Sequence, residues 1–205
     1  MTKIFKSVRF AAVLFSAILI SSIFFISSAT LVSASEINTE KLATKIDDVV
    51  KNDKWIEMET ELALMNFQNR GVLNLEDQTA YILEKYDGAV ASTRQSGVTQ
   101  RIQNGGWNVY YKTSSGKQTA RTAYNGMYVA WYANGGTAAV AAAWAAATGI
   151  GWIAGVIFGG IAGVNKHFGD FAKTCRDEID SHGNTGTARM TLTEARWSSK
   201  YDNRW

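Results

Sequence analysis

The uncharged run Thr137–Val164, TAAVAAAWAAATGIGWIAGVIFGGIAGV, decides how this chain is read. It holds only Ala, Val, Trp, Ile, Gly, Phe and two Thr, inside a longer charge-free stretch from Thr122 to Asn165. Gly151, Gly155, Gly159 and Gly163 recur every four residues, and Ala139, Ala143 and Ala147 carry the register backwards. That spacing lines up small residues on one helical face, where another helix can approach closely. Each interior glycine costs a helix about 1 kcal/mol relative to alanine. Tight helix contact, or a bilayer in which backbone hydrogen bonds cannot exchange with water, must offset that loss. As one helix the run is about 42 Å long, more than a ~30 Å hydrocarbon core. With a turn at Thr148–Gly151 it becomes a hairpin whose arms, about 18–20 Å each, are too short to span. A core hairpin of an ordinary globular domain stays open beside the membrane reading.

Outward from this run, the flanks read as mixed structure. Over 107–132, Trp107, Val109 and Tyr111 alternate with Asn108 and Tyr110, and Thr113–Gly116 and Asn125–Gly126 carry turn residues. This predicts a small antiparallel meander. Residues 166–181 predict an amphipathic helix with Phe168, Phe171, Cys175 and Ile179 on one side. From Thr187 to Trp197, Ala188, Met190 and Leu192 alternate with Arg189, Thr191 and Thr193, which predicts a strand returning to the meander. Residues 89–106 are polar, small and glycine-spotted, and read as a linker.

The N-terminal half reads as helices. Stripes at Leu42–Ile46–Val49–Val50, at Trp55–Met58–Leu62–Met65 and at Ala80–Leu83–Tyr86 follow helical spacing, the second and third closed by Gly71 and Gly88. Ahead of them, Lys3, Lys6 and Arg9 precede the uncharged Phe10–Ser33, and Val32-Ser33-Ala34 has the pattern of a cleavage site. We read 1–34 as a removable export signal, with a retained anchor as the alternative. The fold class expected is α+β: a small N-terminal helical region, a short antiparallel β meander, an apolar Gly/Ala-rich helix or hairpin, and a C-terminal helix and strand.

Charge divides the remainder. Residues 36–95 carry seven basic and twelve acidic groups, and residues 96–205 eleven basic and six acidic. Six of the seven tryptophans, all but Trp55, lie in the basic part. The organisation expected is a signal at 1–34, an acidic helical region at 35–95 that could act as a pro-segment, and a basic Trp/Gly-rich domain at 96–205 containing the apolar segment 137–164.

Little in the chain suggests catalysis. His167 and His182 have no second ligand at helical spacing, and the lone Cys175 lies on an apolar face without a nearby histidine. The glycine run lacks the Lys-Ser/Thr of a phosphate loop. No enzyme activity, cofactor or metal is expected. Arg101, Lys112, Lys117 and Arg121 lie near aromatics, a pattern that suits an anionic partner. In an exported chain this points to an anionic membrane or cell-wall polymer rather than nucleic acid.

At Gly151-Trp152-Ile153-Ala154-Gly155 the chain resembles the cationic, Trp- and Gly-rich bacteriocins of Gram-positive bacteria, which carry such GxxxG seams. The resemblance covers about residues 135–165. The chain is longer than those peptides and has an export signal of a different kind. The resemblance implies a secreted, membrane-active antibacterial protein. In it Gly151, Gly155, Gly159 and Gly163 would pack helices and drive self-association, and Trp144 and Trp152 would settle at the lipid interface. Arg101, Lys112, Lys117 and Arg121 would meet the anionic surface, and a toxin of this kind implies an immunity partner. The alternative is a non-toxic exported cell-surface or wall-binding protein whose β region holds a polymer, with 137–164 as a core hairpin or an anchor.

Overall fold

The computed structural model describes residues 51, 53–68, 75–93, 97–133, 136–149 and 167–201. Chain order there is α1 (Asp53–Gln68), α2 (Leu75–Lys85), β1 (Val90–Thr93), β2 (Val98–Gln103), β3 (Gly106–Tyr111), α3 (Ser114–Tyr132), α4 (Gly136–Thr148), α5 (Phe168–Ser181), β4 (Gly186–Met190) and β5 (Ala195–Ser198). The fold is α+β. The expected signal, the first N-terminal helix and Gly151, Trp152, Gly155, Gly159 and Gly163 lie outside the described residues.

Among the described residues five strands form one antiparallel sheet in the order β1-β2-β3-β4-β5. The β2–β3 hairpin turns at Asn104 and Gly105, both at positive φ (50° and 68°), the conformation a two-residue turn between twisted strands demands. The Asp87 carboxylate accepts the Asn104 N–H at 2.7 Å and holds that turn. Between β3 and β4 the chain runs through α3 and α5, which pack on one face of the sheet. That inner face presents Val98, Ile102, Trp107, Val109, Tyr111, Ala188 and Met190 to Ala120, Tyr124, Met127, Phe168, Cys175 and Ile179. α3 lies between α4 and α5, touching both.

An aromatic cluster joins three elements. Trp107 of β3 meets Trp144 of α4 edge-on at 4.4 Å between ring centroids, and Tyr124 of α3 lies 5.1 Å from Trp144 and 5.7 Å from Trp107. All three are fully buried. Such pairs contribute about 0.5–1.5 kcal/mol each beyond the area they bury. Small residues allow the approach: a Cβ on Gly126 would stand 3.3 Å from the Ala143 Cβ, so α3 and α4 nearly touch there.

Two sequence expectations change. The expected linker 89–106 is paired structure, with Val90–Thr93 and Val98–Gln103 forming β1 and β2. These polar strands are held by ladder hydrogen bonds and by Val98 and Ile102 inside, which a scan for large apolar residues passes over. The expected division at 95–96 therefore falls between two paired strands, and Ile82, Leu83 and Tyr86 of α2 belong to the same core. The expected meander over 107–132 is strand only to Tyr111. Thr113 is not a turn residue but the cap of α3, its hydroxyl accepting the Gly116 N–H at 3.0 Å. Gly116, Ala120, Ala123, Met127 and Ala130 then form its buried stripe. Gly126 marks a helix crossing rather than a turn.

Helix and strand near the C-terminus stand where expected, and the strand rejoins the sheet beside β3. It breaks at Thr191, whose hydroxyl accepts the N–H groups of Thr193 and Glu194 at 3.2 and 3.1 Å, and β5 returns as the edge.

The apolar run is not one continuous helix. α4 ends at Thr148, and Gly149 at φ 72° donates its N–H to the Ala145 carbonyl at 2.8 Å, a left-handed helix stop. Trp144→Ala removes the ring that joins α4 to the sheet. We expect a loss of about 3–5 kcal/mol, read from the urea unfolding midpoint; a side chain at a lipid interface would leave that midpoint where it is.

Candidate functional site

Alternation along each strand turns a second set of side chains to the outer face of the sheet. The register sets Arg101, Asn108, Arg189 and Arg196 opposite one another across β2, β3, β4 and β5, with Thr99, Tyr110, Thr187 and Ser198 in the next row. Like charges directly across a strand pair repel, so this arrangement needs compensation. Arg189 has it from the backbone. Its guanidinium donates to the carbonyls of Gln103 (3.0 Å) and Asn104 (2.8 Å) and to Asn108 Oδ1 (3.0 Å). Arg196 pairs with Glu194 at 2.7 Å. Burial lowers the Arg189 pKa from its ordinary value, which starts so high that the group stays charged.

Gly106 is required by this packing. A Cβ there would stand 2.4 Å from the Arg189 Cζ, so the guanidinium rests directly on the β3 backbone. Arg189 thus ties the β2–β3 turn to β4. Asn108, Tyr110 and Thr187 beside it are buried as well, so solvent reaches this face only at its margin. Cations and rings form a ladder from the buried Tyr110 out to that margin. The Arg101 guanidinium lies 5.7 Å from the Tyr110 ring centre, Tyr110 lies 5.9 Å from Tyr201, and Lys112 Nζ lies 5.2 Å over Tyr201. The chain after β5 brings Tyr201 here, anchored where the Thr187 hydroxyl donates to the Lys200 carbonyl at 2.7 Å. Arg101 is half-buried, and Lys112, Arg196 and Tyr201 are exposed. The Lys112–Tyr201 contact, at an exposed site, contributes about 0.5–1 kcal/mol, and both contacts fix where the positive charge sits.

The four basic residues singled out in the sequence do not share one place. Arg101 and Lys112 flank the outer face. Lys117 instead donates to the carbonyls of Asp180, at 3.1 Å, and of His182, and Arg121 pairs with Asp180 Oδ1 at 2.8 Å. Both hold the C-terminal end of α5, where cations offset the unsatisfied carbonyls of the last turn. Trp144 is in the core. Arg189, Arg196, Tyr110 and Tyr201 enter the outer face without having been singled out. The alternation of Arg189 with Ala188 and Met190 separated their faces, but strand register is what aligns it with Arg101 and Arg196.

Other chemistry is sparse. Among the described residues no cluster of His, Cys, Asp and Glu could hold a metal ion. Cys175 is buried beside Tyr124, and burial pushes its thiol up to about 12, so it stays protonated at neutral pH and is a poor nucleophile.

The bacteriocin-like reading is overturned. Among the described residues no helix is long and apolar enough to cross a membrane. The front half of the small-residue register, Ala139 and Ala143, is buried in the protein core, and Trp144 packs against Trp107 and Tyr124 instead of lipid. Alanine-rich sequence meets the four-residue spacing equally well when the helix it faces belongs to the same chain.

If Arg189 is a structural tie, Arg189→Leu lowers unfolding stability by about 1–3 kcal/mol, the cost of leaving its acceptors unpaired. Lys112→Ala, at the surface, changes it by less than about 0.5 kcal/mol. Urea titrations of the two variants check the contrast. The chain matches no known protein family, no curated protein and no solved structure.

Proposed function

We propose that this chain is an exported, non-toxic surface protein that binds an anionic wall polymer through the cations at the margin of the outer sheet face. The observation that carries the reading is the ladder Arg101–Tyr110–Tyr201–Lys112, in which the buried Tyr110 backs Arg101 and Tyr201 while Lys112 and Tyr201 reach solvent, with Arg196 exposed on the edge strand β5. Rings that hold cations at fixed positions on a rigid sheet reduce the ordering cost of binding. A polymer with repeated phosphodiester or carboxylate groups can meet several such cations at once, so weak contacts add along its length. The Ala-rich helix α4 serves this reading as core. The basic leader and Val32-Ser33-Ala34 pattern support export, and with it a wall polymer over nucleic acid. No step in this role calls for catalysis or a cofactor.

The test uses the secreted protein and purified wall material, with and without its phosphodiester polymer. Binding should require the polymer and weaken steeply with salt, as counterion release dictates. Arg101→Ala combined with Lys112→Ala should cost about tenfold or more in affinity, on the order of 1.4 kcal/mol, and flatten the salt dependence. Equal binding by the double variant would refute the site. Retention on anionic vesicles but not on wall material would refute the polymer. The recovered protein should begin at Ser35.

A further inference from the structure

A second surface, on the helical layer, has features of a different kind of site. Tyr132, at the end of α3, is 53 % exposed, yet it is fixed on several sides. Its hydroxyl donates to Asp170 Oδ1 at 2.7 Å. Its ring stands edge-on to Tyr128 at 5.0 Å. Its edge lies against Gly169, where an added Cβ would be 2.5 Å from the Tyr132 Cε2 and from the Trp131 Cδ1. Glycine at 169 lets the start of α5 approach this ring. The ring is thus held in place while half of the residue stays open to water.

Polar groups surround the ring and are themselves held. Asp170 Oδ2 lies 3.6 Å from His167 Nδ1. The Arg176 guanidinium lies 5.3 Å from the Tyr128 ring centre, donates to Asn125 Oδ1 at 3.0 Å, and pairs with Asp177 at 2.6 Å. Lys173 pairs with Asp177 as well, at 3.1 Å. The Tyr132 hydrogen bond holds the Asp170 carboxyl below its ordinary value. The charges here are matched within the cluster, so an ionic ligand would find little net field. Tyr128 already carries a guanidinium over its ring, so a cationic ligand would find that position taken. What the surface offers is an aromatic face with fixed hydrogen-bonding groups beside it.

We propose that this rim of α3 and α5 binds a neutral glycan. A pyranose ring has an apolar C–H face and a rim of hydroxyls. Stacked on Tyr132, it would place hydroxyls beside the Asp170 carboxylate, which would accept from them. The site is separate from the outer sheet face, and it stands or falls independently of the polymer reading.

The test titrates the full secreted chain with two soluble probes, a β-1,4 tetramer of N-acetylglucosamine and a β-1,4 tetramer of glucose, by calorimetry. At least one should bind saturably. Tyr132→Ala should weaken that binding by about tenfold or more, the scale of one stacked aromatic contact, and Tyr132→Phe by less, because the ring face remains. The Arg101→Ala, Lys112→Ala double variant should bind the glycan as the unaltered chain does, which separates this site from the sheet face. Should Tyr132→Ala fail to fold by circular dichroism, Asp170→Asn replaces it, with weaker glycan binding expected from the loss of an acceptor. Absence of binding to both probes at millimolar concentration, or unchanged affinity in the folded Tyr132 or Asp170 variant, overturns the proposal.

Discussion

The contact among Trp107, Tyr124 and Trp144 is the constraint on which the rest of the structure depends. It joins a central strand, the longest described helix and the alanine-rich helix through three fully buried rings. Alanine and glycine supply little area for burial, so α4 needs a large side chain to fasten it, and Trp144 supplies that. The small residues around it then let α3 and α4 come within van der Waals contact at Gly126 and Ala143. Bulk at one position and its absence at the others are two halves of one packing solution.

With the inner face occupied in this way, the sheet can place charge on its other side. Arg189 is the hinge of that arrangement. Resting on Gly106 and donating to two carbonyls of the β2–β3 turn, it uses its charge within the fold. Arg101, Lys112 and Arg196 around it are held by rings or by Glu194 and stay near the surface. The same division appears at α5, where Lys117 and Arg121 close the helix end. A net count of basic residues does not distinguish charges used to build the fold from charges presented to a partner; hydrogen-bond partners do.

Much of the local structure was legible in the residues. The alternation Trp107–Val109–Tyr111, the spacing Phe168–Phe171–Cys175–Ile179 and the N-terminal helices over 53–68 and 75–85 correspond to elements of the fold. The polar strands β1 and β2 were not legible, because their stability comes from partners distant in sequence and not from their own side chains. α3 was misread because its aromatic residues suggested strand while its buried stripe is mostly Gly and Ala. Tyr124, Tyr128 and Tyr132, four residues apart, carried the helical signal. The outer-face row was beyond reach, since it exists only once the register is set. Of the small-residue register, Ala143 meets another helix closely, at Gly126 of the same chain; periodicity does not say whether the surface opposite is lipid, another copy or the same chain.

The most direct test is amide hydrogen exchange across Val140–Ala147 of α4 in water, without lipid. A helix fastened to the sheet by Trp144 exchanges only through global unfolding, so these amides should be as protected as those of β3. Rapid exchange in water, with protection appearing only when vesicles are added, would contradict the account.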